Sequence, residues 1–161
     1  MSNVQSDQAW GALKSVAAEE REARMGQRYK ELAALSQEEM LSRMTAMVRA
    51  EYDLPDAELS AFTLSRLRTW LTLGRDTALK VEACYDAAMR EMPGPADMRR
   101  VSLVQTLFRD FSREDQERLF ELMPNAFGGL KLALQASRLR GGPPPVKAAA
   151  PAKRGWWPFR R

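Results

Sequence analysis

Apolar residues recur along this chain three, four and seven positions apart, and no stretch of useful length alternates in the period of two that marks a half-buried strand. The clearest run is Met40, Leu41, Met44, Met47 and Val48, which share one helical face. Ser36 stands three residues before Glu39, the spacing of a capping box, in which the serine oxygen accepts from a first-turn N–H while the glutamate reaches back. Together they predict a helix from Ser36 to about Asp53. Leu54-Pro55 then opens a second stripe through Leu59, Phe62, Leu67, Trp70 and Leu71, which Gly74 is expected to break or bend. Ala78, Val81, Tyr85, Ala88 and Met92 continue the period until Pro93-Gly94-Pro95 ends it.

A further helix is predicted from about Ala96 to Phe111, with Met98, Val101, Val104, Leu107, Phe108 and Phe111 as the strongest core face in the chain. Ser112, three before Asp115, starts another, which carries Leu119, Phe120, Leu122 and Met123 up to Pro124-Asn125. A last helix is expected from Ala126 to about Leu139, stopped by Gly141-Gly142. Upstream, Ser6 to Leu35 is rich in helix formers but has only a thin stripe (Trp10, Leu13, Ala17, Met25, Tyr29, Leu32), interrupted by Gly11 and Gly26. Its first half is expected to attach loosely. The fold class is therefore all-α, a compact bundle of about five or six helices with a flexible Pro/Ala/Gly-rich tail. Its parts are a mobile N-terminal helix over 1–35, an α-helical domain over 36–140, a linker over 141–152 and a Trp/Arg-rich motif over 153–161. The extended linker holds that motif away from the body, so folding of the body should not require it.

Charge divides the chain in the same place. From Arg138 onward there are seven cations and no acid, which leaves 18 cations against 21 acids in the first 137 residues. The basic character belongs to the tail, and a segment so charged is suited to polyanions: lipid headgroups, nucleic acid or an acidic protein face. The single cysteine, Cys84, can form neither an internal disulfide nor a zinc cluster, and points to a reducing, cytoplasmic setting. The first twenty residues have no apolar signal core, and no apolar run approaches transmembrane length.

Catalytic chemistry finds little footing. Histidine is absent, and Cys84, inside a helical segment, reads as an inert thiol. Glu114, Asp115, Glu117 and Glu121 lack the Glu-x-x-His partners of a four-helix metal site and read as helix-start acids paired with Arg113 and Arg118. Gly128-Gly129 lacks the strand and lysine of a phosphate loop. No catalytic, cofactor-binding or metal-binding residue is nominated, and the expectation is a non-enzyme without a cofactor. The face of Met40, Met44 and Met47 reads as core, with an adaptable binding groove as the lesser alternative.

The nominated site is the end of the sequence, KRGWWPFRR: Lys153, Arg154, Trp156, Trp157, Phe159, Arg160 and Arg161. Tryptophan concentrates where water meets hydrocarbon and arginine snorkels to headgroups from the same depth, while Pro158 prevents a continuous helix through the motif. The segment resembles the indolicidin-like tryptophan- and proline-rich cationic membrane-active peptides. That resemblance implies interfacial insertion into anionic bilayers. Four cations near an anionic surface supply roughly 4 kcal/mol, about millimolar on their own. Partial insertion of three aromatics, at about 25 cal/mol per Å², extends this to about ten micromolar. Attachment is thus reversible, and a homo-oligomer would strengthen it. The expectation is a cytoplasmic adaptor, regulator or assembly factor, peripherally membrane-associated, whose body binds a protein. Docking of the WWPF motif into a partner's pocket is the alternative. Single-stranded nucleic acid ranks lower, because the body offers no basic stripe to extend such a site.

Overall fold

The computed structural model describes residues 9–127. A 3₁₀ helix, Trp10–Ser15, is followed by α1 (Ala18–Ala33), α2 (Gln37–Tyr52), α3 (Asp56–Thr72), α4 (Arg75–Arg90), α5 (Gly94–Phe108) and α6 (Arg113–Leu122). Residues 124–127 add a short helical turn. The chain is an all-α bundle in which α1 packs on α3 and α4, α2 lies against α4, and α5 and α6 close over α3 and α4. The linker, the terminal motif and most of the helix expected after Ala126 lie outside the described residues.

The helix starts follow local hydrogen-bond chemistry. Glu39 N–H donates to Ser36 Oγ, and the Ser36 hydroxyl donates to Glu39 Oε2 at 2.9 Å, so the glutamate reaches back to the side chain of the cap. Ser112 and Asp115 repeat this arrangement at α6, with Asp115 N–H on Ser112 Oγ at 3.2 Å. Gly74 breaks the chain: with φ −57° and ψ 143° it ends the α3 segment and caps α4. α5 begins two residues earlier than expected, at Gly94, because Pro95 falls in its first turn, where a missing N–H costs nothing.

Two expectations are corrected. The N-terminal stretch is not one thin helix with a loose first half. It divides at Val16 and Ala17, which are extended, and Trp10 is buried at 3% exposure. The indole meets Tyr29 and Phe62 edge-on at centroid distances of 5.5 and 5.6 Å. From Tyr29 the same edge-to-face contacts run to Trp70 at 6.2 Å and on to Tyr85 at 5.4 Å, so a line of aromatics threads the bundle. Gly11 makes this approach possible, since a Cβ there would stand 3.2 Å from the Ala50 carbonyl oxygen on α2.

The second correction concerns α5. Met98, assigned to the core, is 76% exposed, while Arg100 is buried at 4%. The inward face is Arg100, Val104, Leu107 and Phe108, and Val101 is half-buried. Phe108 joins Phe120 and Phe127 in a second aromatic cluster, with centroids 4.7 to 5.3 Å apart. Met40, Met44 and Met47 are buried, so that face is core and not an open groove.

Truncating Trp10 should therefore destabilise the whole bundle. Trp10→Ala is expected to cost about 3–5 kcal/mol by urea denaturation, whereas Met98→Gln should change stability by less than about 0.5 kcal/mol.

Candidate functional site: a buried charge network beneath a cleft

Hydrophobic faces of α2, α3, α4 and α5 each carry a charged residue in register with their apolar stripe. Glu51 lies one turn beyond Met47 and Val48, Arg66 falls midway between Phe62 and Trp70, Glu82 and Asp86 flank Tyr85, and Arg100 precedes Val104 by one turn. Packing brings all of them inside, where Glu51 and Arg66 are fully buried and Glu82, Asp86 and Arg100 are at most 6% exposed.

Arg66 and Glu51 form a buried ion pair, with Arg66 Nη1 donating to Glu51 Oε1. The same nitrogen donates to the Tyr85 hydroxyl, which in turn donates to Glu51 Oε1 at 3.2 Å. The flat face of the guanidinium covers aromatic rings, with Cζ 4.2 Å from the Tyr85 centroid and 5.3 Å from that of Trp70. The Arg100 guanidinium also stands over Tyr85, 5.1 Å from the ring centroid. Tyr85 thus couples two ion clusters. In the second, Arg100 pairs with Asp86 through Nη1 and lies 3.6 Å from Glu82 Oε1 through Nη2. Asn125 Nδ2 donates to Asp86 Oδ2 at 2.7 Å, tying in the turn 124–127.

Burial works against the charge of Arg66, but Glu51 and the facing phenols of Tyr52 and Tyr29 outweigh it, so the guanidinium is held more firmly cationic than usual. Burial pushes the Tyr52 hydroxyl up to about 12 and the Tyr29 hydroxyl further, so both phenols are neutral donors at ordinary pH. The Cys84 thiol, half-buried on α4, is also pushed up by burial, which suppresses the nucleophilic thiolate.

Above the second cluster opens a cleft of about 360 Å³ between the end of α4, the start of α5 and the turn 124–127. Asp86, Arg100 and Asn125 form its polar floor, Arg90 and Asp97 its charged rim, and Met89, Met92 and Val101 its apolar walls. Charges of both signs converge there. Among the described residues no group of three or more His, Cys, Asp or Glu side chains is placed to hold a metal ion.

The residues nominated from sequence, Lys153, Arg154, Trp156, Trp157, Phe159, Arg160 and Arg161, lie outside the described residues, so the structure neither assembles nor separates them. The acidic run on α6 is a solvated face in which Arg113 pairs with Glu117 at 3.2 Å. Arg118 instead donates to the Leu71 carbonyl on α3. The buried network itself escaped the sequence reading, although each of its charges stands one helical turn from a core residue. Comparison with protein-family models, with curated proteins and with solved structures finds no match to this chain.

Removing one partner of the inner pair leaves the other as an uncompensated buried charge. Arg66→Met is therefore expected to cost about 3–5 kcal/mol of folding stability, measured by urea unfolding. A loss below about 1 kcal/mol would mean that Glu51 finds another route to neutrality.

Proposed function

We infer that the chain is a non-enzymatic adaptor, regulator or assembly factor whose helical body binds a protein and whose residues 153–161 attach it reversibly to an anionic membrane surface in the cytoplasm. The observation that carries the reading is the motif itself: Trp156, Trp157 and Phe159 bracketed by Lys153, Arg154, Arg160 and Arg161, in a stretch from Arg138 onward that contains no acid.

The organisation of the body supports this division of labour. Among the described residues the large apolar side chains are buried or half-buried, with Met98 the one exposed, so the body has a core of its own without the terminal aromatics. No described helix is long and apolar enough to cross a membrane, and attachment would rest on the surface contacts of the motif. The body's excess of acids, 21 against 18 cations in the first 137 residues, gives it no general attraction to anionic lipid, so orientation would follow from the tail.

Co-sedimentation of the full chain and of Trp156→Ala/Trp157→Ala with anionic and neutral vesicles tests this. Binding is expected to anionic vesicles, weakened about tenfold or more by the double substitution and weakened by salt. Equal binding by both proteins, or none by either, would overturn the membrane reading. A stoichiometric complex of the tail with one soluble protein, indifferent to lipid charge, would assign the same residues to a docking peptide.

A further inference from the structure

Two carboxyls and one guanidinium meet where α4, α5 and the turn 124–127 join. Glu82 and Asp86 stand one turn apart on α4, both face Arg100, and all three side chains are nearly excluded from water. With the inner pair included, the buried network holds three carboxyls, Glu51, Glu82 and Asp86, but two guanidiniums, Arg66 and Arg100. Arginine keeps its charge in proteins, so two positive charges balance two negative ones and the third carboxyl is left to hold a proton. Asp86 is committed twice, to Arg100 and to Asn125 at 2.7 Å. Burial pushes the Glu51 carboxyl up as well, but Arg66 donates to it directly, whereas Glu82, 3.6 Å from Arg100, is the weakly paired member.

We propose that Glu82, Asp86 and Arg100 form a proton-operated latch: one proton on the carboxyl pair keeps α5 and the turn 124–127 closed on α4, and losing it loosens that junction ahead of the rest of the bundle. Each groups' surroundings bear on the latch. From α4 itself come Asp86, the Tyr85 ring under Arg100 and, at the rim, Arg90. From α5 come Arg100 and, at the rim, Asp97; from α3 comes Arg66. α2 contributes Glu51 and Tyr52, both within reach of the Arg100 charge, and α1 contributes Tyr29, beside Glu51 and Arg66. The buried residues of α6, Leu119 and Leu122, carry no charge, and the turn 124–127 presents the neutral Asn125. The cleft of about 360 Å³ over Asp86 and Arg100 gives protons a path between the cluster and solvent.

Burial pushes the Glu82 carboxyl up to about 8, the Asp86 charge adds to the rise, and Arg100 opposes it. An acid whose folded value lies above its unfolded value of 4.5 favours the closed state fully below that lower value, and the advantage fades as pH rises from there through about 8. The alkaline side is thus where the latch opens. This extends beyond the membrane reading, because the cluster would act on α5 and the turn 124–127 whatever the tail binds.

Amide hydrogen exchange on the full chain, corrected for intrinsic rates, tests the latch. Between about pH 6 and pH 9 the protection of residues 94–108 and 124–127 should fall at least about tenfold relative to α2. In Glu82→Gln, which cannot ionise, that difference should disappear. Equal pH dependence in the two proteins, or a loss spread evenly over all helices, would overturn the proposal. Carboxyl NMR titration of Glu82 in the unaltered chain decides the matter if Glu82→Gln does not fold: a midpoint near 8 supports the latch, and one in the ordinary carboxylate range near 4.5 rejects it.

Discussion

The fully buried pair of Glu51 and Arg66 is the constraint around which this bundle is arranged. Two charges removed from water are tolerated only where geometry supplies each with a partner, and that requirement fixes the relative position of three helices at once. α2 supplies the carboxylate, α3 the guanidinium, and α4 the Tyr85 hydroxyl that bridges them. The aromatic line from Trp10 through Tyr29 and Trp70 ends on Tyr85, so apolar packing and ion pairing converge on one ring. A shift of one turn in α2 or α3 would separate the charges, and one in α4 would remove the hydroxyl that bridges them. An apolar core of the same volume would accept such a shift far more cheaply.

That logic continues outward. Arg100 also lies against the Tyr85 ring and brings α5 to the carboxyls of α4. Arg21 does similar work at the other end, where its Nε donates to Ser65 on α3 at 2.9 Å. Arg99 donates to the carbonyls of Tyr52 and Leu54 at 3.1 and 2.9 Å and pairs with Asp56, so α5 is also tied to the α2–α3 connection. Arginines thus serve as interhelical braces in a protein whose tail would use the same side chain toward a polyanion. Planar donors suit both tasks, since a guanidinium can be spent on carbonyls and rings in the interior or on headgroups outside.

Much of the fold was legible because its signals are local. Ser36 and Ser112 announce their helices through hydrogen bonds within a single turn, and Pro55, Gly74 and Pro93 act on their immediate neighbours. What escaped were features decided by distant partners. Met98 lies three residues before Val101 and so fits a helical stripe, yet the inward face is set by Arg100, which α4 alone can satisfy. The periodicity weighs only apolar positions, and nothing local marks Glu51 or Arg66 as paired with each other across fifteen positions. Their standing one turn from Val48 and Phe62 was the available signal. The N-terminal stretch looked loose because its stripe is thin, but Trp10 alone buries enough surface to seat it, and Gly11 lets it come close.

A double-mutant cycle at Glu51 and Arg66, with Glu51→Leu, Arg66→Met and both together compared by urea unfolding, shows whether the two buried charges depend on each other. If the pair is a mutually dependent constraint, the double variant should lose less stability than the sum of the two single losses, by at least about 2 kcal/mol. Losses that add within about 0.5 kcal/mol would contradict the account, since the two charges would then act independently and the bundle would owe its arrangement to apolar packing alone.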